Sequence, residues 1–277
     1  MLSHSYEPSY EKKIKKICIA RGINIIPPRL TVEQIVQHIQ AIVKPEYDKK
    51  DKVVTFFSVL SNVGTTTMTL SVAEALFQET DATIGVLMLN AWDDSMDTVP
   101  AYQGRYLDEV KSSLAGKVLQ TKEDVLNLFH QVERNRLYLL AGNKSVKMER
   151  LFTKEEIHYL IDRARDTFDI LLIDAGCHFD NANMVQALTE SENRFLVMNQ
   201  QPKAIKKFNQ VYNEILYPSG YGKDSFLLIV NDVINKSLYP QSKEIERELE
   251  IDLIMEVPHS EQGLKAEIKQ EILYKND

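Results

Sequence analysis

Seven apolar runs separated by helical patterns constrain this chain more than any other feature. They are VVTFFSV (53–59), TIGVLMLN (83–90), LYLLAG (137–142), DILLID (169–174), RFLVMNQ (194–200), SFLLIVND (225–232) and DLIMEVP (252–258). Most are continuous rather than alternating with polar residues. A strand covered on both faces needs an apolar side chain at every position, so such runs predict a buried parallel sheet. Helical spacing is legible between them at 66–79, 104–117, 122–132, 153–166, 182–190, 203–217, 239–249 and 262–273. This alternation predicts an α/β fold: a doubly wound, mostly parallel sheet with helices on both faces.

The first fifty residues follow a different pattern. EKKIKKICIARG reads as a short helix ending at Gly22, INIIPPR as a strand stopped by Pro27 and Pro28, and TVEQIVQHIQAIV as a helix capped by Thr31. The polar stretch KPEYDKKDK (44–52) reads as a linker, so we expect an appendage at 1–50 and a main domain at 51–277. The net charge of −7 disfavours nucleic acid as a dominant partner. Cys18 and Cys177 are too few and too isolated for a disulfide framework or a metal site. No apolar run approaches the roughly 18 residues needed to span a bilayer, and the N-terminus lacks the apolar core of a secretory signal. A cytoplasmic location, with no direct membrane insertion, is the expectation.

The turn after the first main-domain strand is where an open α/β sheet carries its ligand. There the chain reads VLSNVGTTTMT (59–69), running into a helix with Met68, Val72 and Leu76 at four-residue spacing. A phosphate loop needs small residues whose backbone N–H groups turn inward, a helix N-terminus, and a lysine for the terminal phosphates. Gly64 supplies the tight turn, and Thr66 and Thr67 follow it. Where the lysine belongs, the chain has Thr65.

The segment VVTFFSVLSNVGTTTMTLSVAEAL resembles the deviant Walker A segment of the ParA/MinD group of P-loop ATPases. The resemblance extends over nearly the whole main domain. VLMLNAWDD (86–94) is similar to the second strand and its Walker A′ end, and FDILLIDAGCHFDN (168–181) to Walker B and the switch after it. FLVMNQQPKAIKKF (195–208), FLLIVNDV (226–233) and IMEVPHSEQ (254–262) are similar to later strands, the last two bordering the adenine pocket. The resemblance implies a P-loop NTPase fold. It also implies nucleotide contacts from Asn62, Val63, Gly64, Thr65, Thr66, Thr67, Asn231 and Pro258, with magnesium held at Thr66 and Asp174.

The chain departs from the family at the charged positions. The signature lysine falls at Leu60, the two glycines after it at Ser61 and Asn62, and the phosphate lysine at Thr65. The Walker A′ pattern of aspartate, apolar, aspartate reads Asn90, Ala91, Trp92, so the carboxylate that orients water in the family is missing. Walker B keeps Asp174, but the proline and glycine after it are Gly176 and His178. A cation at the terminal phosphate contributes several powers of ten in rate, so hydrolysis is expected to be absent or very slow. Binding has two readings. Backbone N–H groups, the helix dipole, Thr66 and a magnesium at Asp174 could hold ATP, or the turn is kept only for packing.

Other features read more simply. Asp93, Asp94 and Asp97 are expected to be a solvated loop rather than a metal site, and the lone tryptophan, Trp92, a packing residue. Cys177 and His178 are adjacent in sequence, and adjacent residues rarely face each other, which disfavours a nucleophile–base pair. Lys203, Lys206 and Lys207 read as a solvated helix face rather than a DNA-binding surface. Leu264, Ile268 and Ile272 at the C-terminus read as a core-covering helix, not a membrane-targeting tail. A tyrosine-kinase relative of the group is disfavoured, because the C-terminus has only Tyr274.

CIARGINIIPPRLTVEQIVQHIQAIV resembles the closing βα unit of a receiver-like domain, an arrangement found in the TadZ/CpaE pilus-assembly branch. The expected function is a localisation or assembly factor with degenerate Walker motifs. It would act as a homodimer with protein partners at a membrane-associated machine. The alternatives are a slow partitioning ATPase that binds DNA, and a ligand-free scaffold.

Overall fold

The computed structural model describes residues 52–90, 99, 102–133 and 136–269. The readings for the appendage at 1–50, and those for Ala91, Trp92, Asp93, Asp94, Asp97 and Ile272, lie outside these residues. Eight strands form one sheet: β1 (Val53–Phe57), β2 (Ile84–Met88), β3 (His130–Glu133), β4 (Leu137–Leu140), β5 (Ile170–Asp174), β6 (Asn193–Met198), β7 (Leu227–Val233) and β8 (Leu253–Pro258). Their order is β3-β4-β2-β5-β1-β6-β7-β8. Every pairing is parallel except β3 with β4. The seven apolar runs are seven of these strands.

The helices are α1 (Thr65–Glu79), α2 (Leu107–Ala115), α3 (Lys122–Leu126), α4 (Lys154–Thr167), α5 (Ala182–Glu190), α6 (Pro202–Val211), α7 (Ser242–Leu249) and α8 (Gln262–Lys269). Side chains alternate between the sheet faces with period two, and here both sets are apolar. Phe57, Leu171, Ile173, Leu196 and Val230 join a core with α2, α4, α5, α6 and α7. Phe56, Leu172, Val197 and Ile229 face the other way and pack with Met68, Leu70 and Ala73 of α1. The sheet is therefore covered on both sides, as the unbroken apolar runs required.

One expected helix is corrected. The pattern over 122–132 gives only the five residues of α3 before the chain turns into β3. HQVE is a short antiparallel edge strand with no buried residue, and it lacks the apolar run that marks a central strand. β8 is the opposite edge and is largely exposed, unlike the doubly buried strand its apolar content predicts. The helix expected over 203–217 is α6 continued by a π-helical turn, Tyr212–Leu216. Within α8, Ile268 is exposed, so it does not cover a core.

Candidate nucleotide site

Parallel pairing brings the carboxyl ends of β2, β5, β1, β6 and β7 to one edge, in that order. Asp174 ends β5 and lies in register with Phe56 of β1 and Met88 of β2. The turn after β1 then rises into α1 through two residues of positive φ, Asn62 at 58° and Gly64 at 88°. Only glycine adopts the second without strain. Space also demands it, since a Cβ there would sit 2.2 Å from the Asn231 amide nitrogen. That nitrogen donates to the Val63 carbonyl at 2.9 Å and ties the loop to β7.

Gly64 caps α1 with no side-chain hydrogen bond. A 15-residue helix therefore presents its first turn to the strand-end edge without a side-chain acceptor. In that turn the Thr66 hydroxyl donates to the Asp174 carboxylate at 2.6 Å. The other Asp174 oxygen accepts from the Gly176 N–H at 2.9 Å. Asp174 is fully buried, at 0% exposure. Its loop is pinned further by the Ser58 N–H, which donates to the Gly176 carbonyl at 2.8 Å.

The neutral replacements are built into this packing. Thr65 is buried at 7% exposure, and its carbonyl accepts from the Thr69 hydroxyl at 3.0 Å. Leu60 packs on both cores. Asn90 lies against Gly176, which has a φ of 66° and whose Cβ would fall 2.3 Å from the Asn90 oxygen.

Among the expected nucleotide contacts, Asn62, Val63, Gly64, Thr65, Thr66 and Thr67 form the turn and first helical residues. Asn231 touches that turn directly. Pro258 stands one strand further out, opposite Val233. One sequence expectation is corrected: Cys177 and His178 do face each other, with Sγ 3.7 Å from Nδ1. Burial, with the charges of Asp174 and Glu149, pushes the Cys177 thiol above its ordinary value. A thiol held protonated is a poor nucleophile. Lys203, Lys206 and Lys207 are exposed on α6, as expected for a solvated face.

The metal end fits a magnesium-bound nucleotide. Magnesium takes one or two carboxylates plus substrate phosphates, and retains water. Thr66 and Asp174 supply a hydroxyl and a carboxylate side by side at a helix N-terminus. Among the described residues no group of three or more His, Cys, Asp or Glu could hold a metal by itself, so phosphate oxygens would have to complete the shell. The cation end fits less well, because Leu60, Asn62 and Thr65 offer no charge. Among the described residues no helix is long and apolar enough to cross a membrane.

Sequence reasoning missed Glu149. It lies in a 3-10 turn, Val146–Leu151, after β4, and is only 5% exposed. Nothing in VKMERL marks it as more than a surface glutamate. The chain brings it back to Asn181, at the far end of the loop that follows β5.

No family model matches the chain, and no curated protein matches it. Solved structures do. A ParA family ATPase from Chlorobium tepidum superposes with a TM-score of 0.72 at 16% identity, covering 82% of this chain and 92% of that one. The septum site-determining protein MinD from Pyrococcus horikoshii, complexed with Mg-ADP, gives a TM-score of 0.66 at 16% identity, covering 82% and 89%. The MinC:MinD cell division complex of Aquifex aeolicus gives 0.64 at 16% identity, covering 80% and 87%. With its phosphate-type loop, its Asp174 strand end and this sheet order, the chain has the fold of the ParA/MinD-type P-loop ATPases.

Proposed function

We propose that this chain is a degenerate ParA/MinD-like protein that binds magnesium-ATP but hydrolyses it very slowly or not at all. It uses the bound nucleotide to hold two copies together as a localisation or assembly factor. The observation that carries the reading is the buried bond between Thr66 and Asp174, 2.6 Å long, beneath an open helix N-terminus. Burying a carboxylate at 0% exposure is costly in its charged form. A turn kept only for packing can make such bonds with a neutral side chain and does not require it. A site for a divalent cation does.

Absent or slow turnover is supported by the neutral groups at Leu60, Thr65 and Asn90, two of them buried or packed into the core. Backbone N–H groups and a helix dipole hold phosphate without a lysine, but they do not supply the charge that speeds transfer. Binding partners at a membrane-associated machine, in the manner of the TadZ/CpaE branch, form the finer part of the proposal. MinD in complex with MinC offers a parallel for such a partner. The ligand-free scaffold is the second reading. It is favoured by Asn231, whose bond to the Val63 carbonyl ties the loop to β7 through protein groups.

Titration with labelled ATP and magnesium, with light scattering and phosphate release read in parallel, separates these readings. Saturable binding with dimer formation and no phosphate release is the expected result. Phosphate release stimulated by DNA would overturn it in favour of a partitioning ATPase. No binding at millimolar ATP would leave the scaffold.

A further inference from the structure

The proposed site leaves Glu149 without a task, although it is one of the few buried carboxylates near the strand-end edge. Asn181 donates to it through Nδ2 at 3.1 Å, while Asn181 Oδ1 caps α5 by accepting from the Met184 N–H at 2.9 Å. One residue earlier, Asp180 pairs with Arg150 at 2.9 Å, with both side chains largely exposed. The loop after β5 is thus fixed at both ends. Gly176 is held at the near end by Asp174 and Ser58, and Asn181 at the far end by Glu149. Between them sits Cys177, close enough to feel the charges of both Asp174 and Glu149.

We infer that Glu149 is a positioning residue: through Asn181 it holds the loop 175–180 closed beside the Thr66–Asp174 pair, and so governs how tightly a divalent cation and its nucleotide are held there. The cation half of this inference rests on the nucleotide reading. The loop half does not. The exposed Arg150–Asp180 pair adds little, because solvent screens it and its geometry costs side-chain entropy. The buried bond carries the restraint, because a polar group left unpaired in a dry site is expensive.

Cys177 is a reporter already in place. In this 277-residue chain carrying Cys18→Ser, it is the only thiol, and its alkylation by N-ethylmaleimide reads opening of the loop. Glu149→Gln keeps a carbonyl oxygen that accepts from Asn181; Glu149→Ala does not. Losing the bond should speed alkylation about fivefold or more in Glu149→Ala. Glu149→Gln and Arg150→Ala should stay within about twofold of the parent, allowing for the charge removed near the thiol. Ile245→Val, at a core position of α7, sets the rate owed to lower global stability alone.

In parallel, calorimetric affinity for Mn-ADP should fall about tenfold in Glu149→Ala and be preserved in Glu149→Gln. The inference is overturned if Glu149→Ala alkylates no faster than the parent or Ile245→Val. It is also overturned if Glu149→Gln matches Glu149→Ala, because charge rather than position would then be acting. A parent that binds no Mn-ADP overturns the nucleotide reading and the cation half with it, and the alkylation rates still decide the loop half.

Discussion

β5 carries an aspartate at each end, and the two make nearly the same bonds in opposite surroundings. Asp169, just before the strand, accepts from the Thr83 N–H at 2.9 Å and the Thr83 hydroxyl at 2.7 Å. Asp174, closing the strand, accepts from the Thr66 hydroxyl at 2.6 Å and the Gly176 N–H at 2.9 Å. Each therefore accepts from a threonine hydroxyl and from a backbone N–H. Asp169 is exposed and ties the start of β5 to the residue before β2, a structural task done in water at little cost. Asp174 makes its two at 0% exposure, away from water, where burying a carboxylate is costly. That difference in burial, rather than these shared bonds, sets the two aspartates apart.

The largest effect that could break this comparison is Asp174→Asn. The near-isosteric amide puts no ionisable group into the buried site, so thermal stability should be unchanged or raised, as is common when a functional residue is replaced. Magnesium-dependent nucleotide binding should fall roughly a hundredfold, the scale of a disrupted metal shell. A large loss of melting temperature with binding intact would make Asp174 structural, like Asp169.

Thr66→Val should come next. It leaves the Asp174 oxygen without its hydroxyl donor, at a cost of about 1–3 kcal/mol measurable by urea denaturation. Magnesium dependence of binding should weaken in the same variant. Thr65→Lys works in the other direction. Restoring the missing charge-assisted bond should tighten ATP binding about tenfold. No change in affinity would mean the loop is a packing turn. Because Thr65 is buried, the lysine stem must extend toward the strand-end edge, and a stability cost is expected.

Asp169→Asn should have the smallest effect, below about 1 kcal/mol, because the carboxylate is exposed. The side-chain and backbone bonds from Thr83 hold its pKa below the ordinary value of 3.8. A folded value below the unfolded one gives stability that is present above the unfolded value and lost as pH falls through the folded one. Acid unfolding should therefore be shallower in Asp169→Asn below the ordinary carboxylate range. Nucleotide binding should not change.

What the sequence made legible follows from burial. Central stretches such as ILLI (170–173) and FLVM (195–198) are apolar at every position because both faces are covered, and periodicity alone finds them. HQVE at the edge has one apolar residue in four and follows a helical stretch, so the same reading extends the helix through it. Gly64, Thr66 and Asp174 were legible because their spacing along the chain matches a known loop and strand. Glu149 and the Cys177–His178 contact were not. Each depends on a turn that folds a distant or adjacent side chain back over β5, and local pattern carries no trace of that.

The central claim is that the site binds magnesium-ATP but does not turn it over. Its most direct test is to measure, on one preparation, ATP affinity with and without magnesium together with phosphate release over hours. The account predicts saturable, magnesium-dependent binding with release indistinguishable from buffer or slower than about one turnover per several tens of minutes, on the order of unassisted P-loop hydrolysis. Release at about one per second or faster, in the range of assisted enzymes, would contradict it.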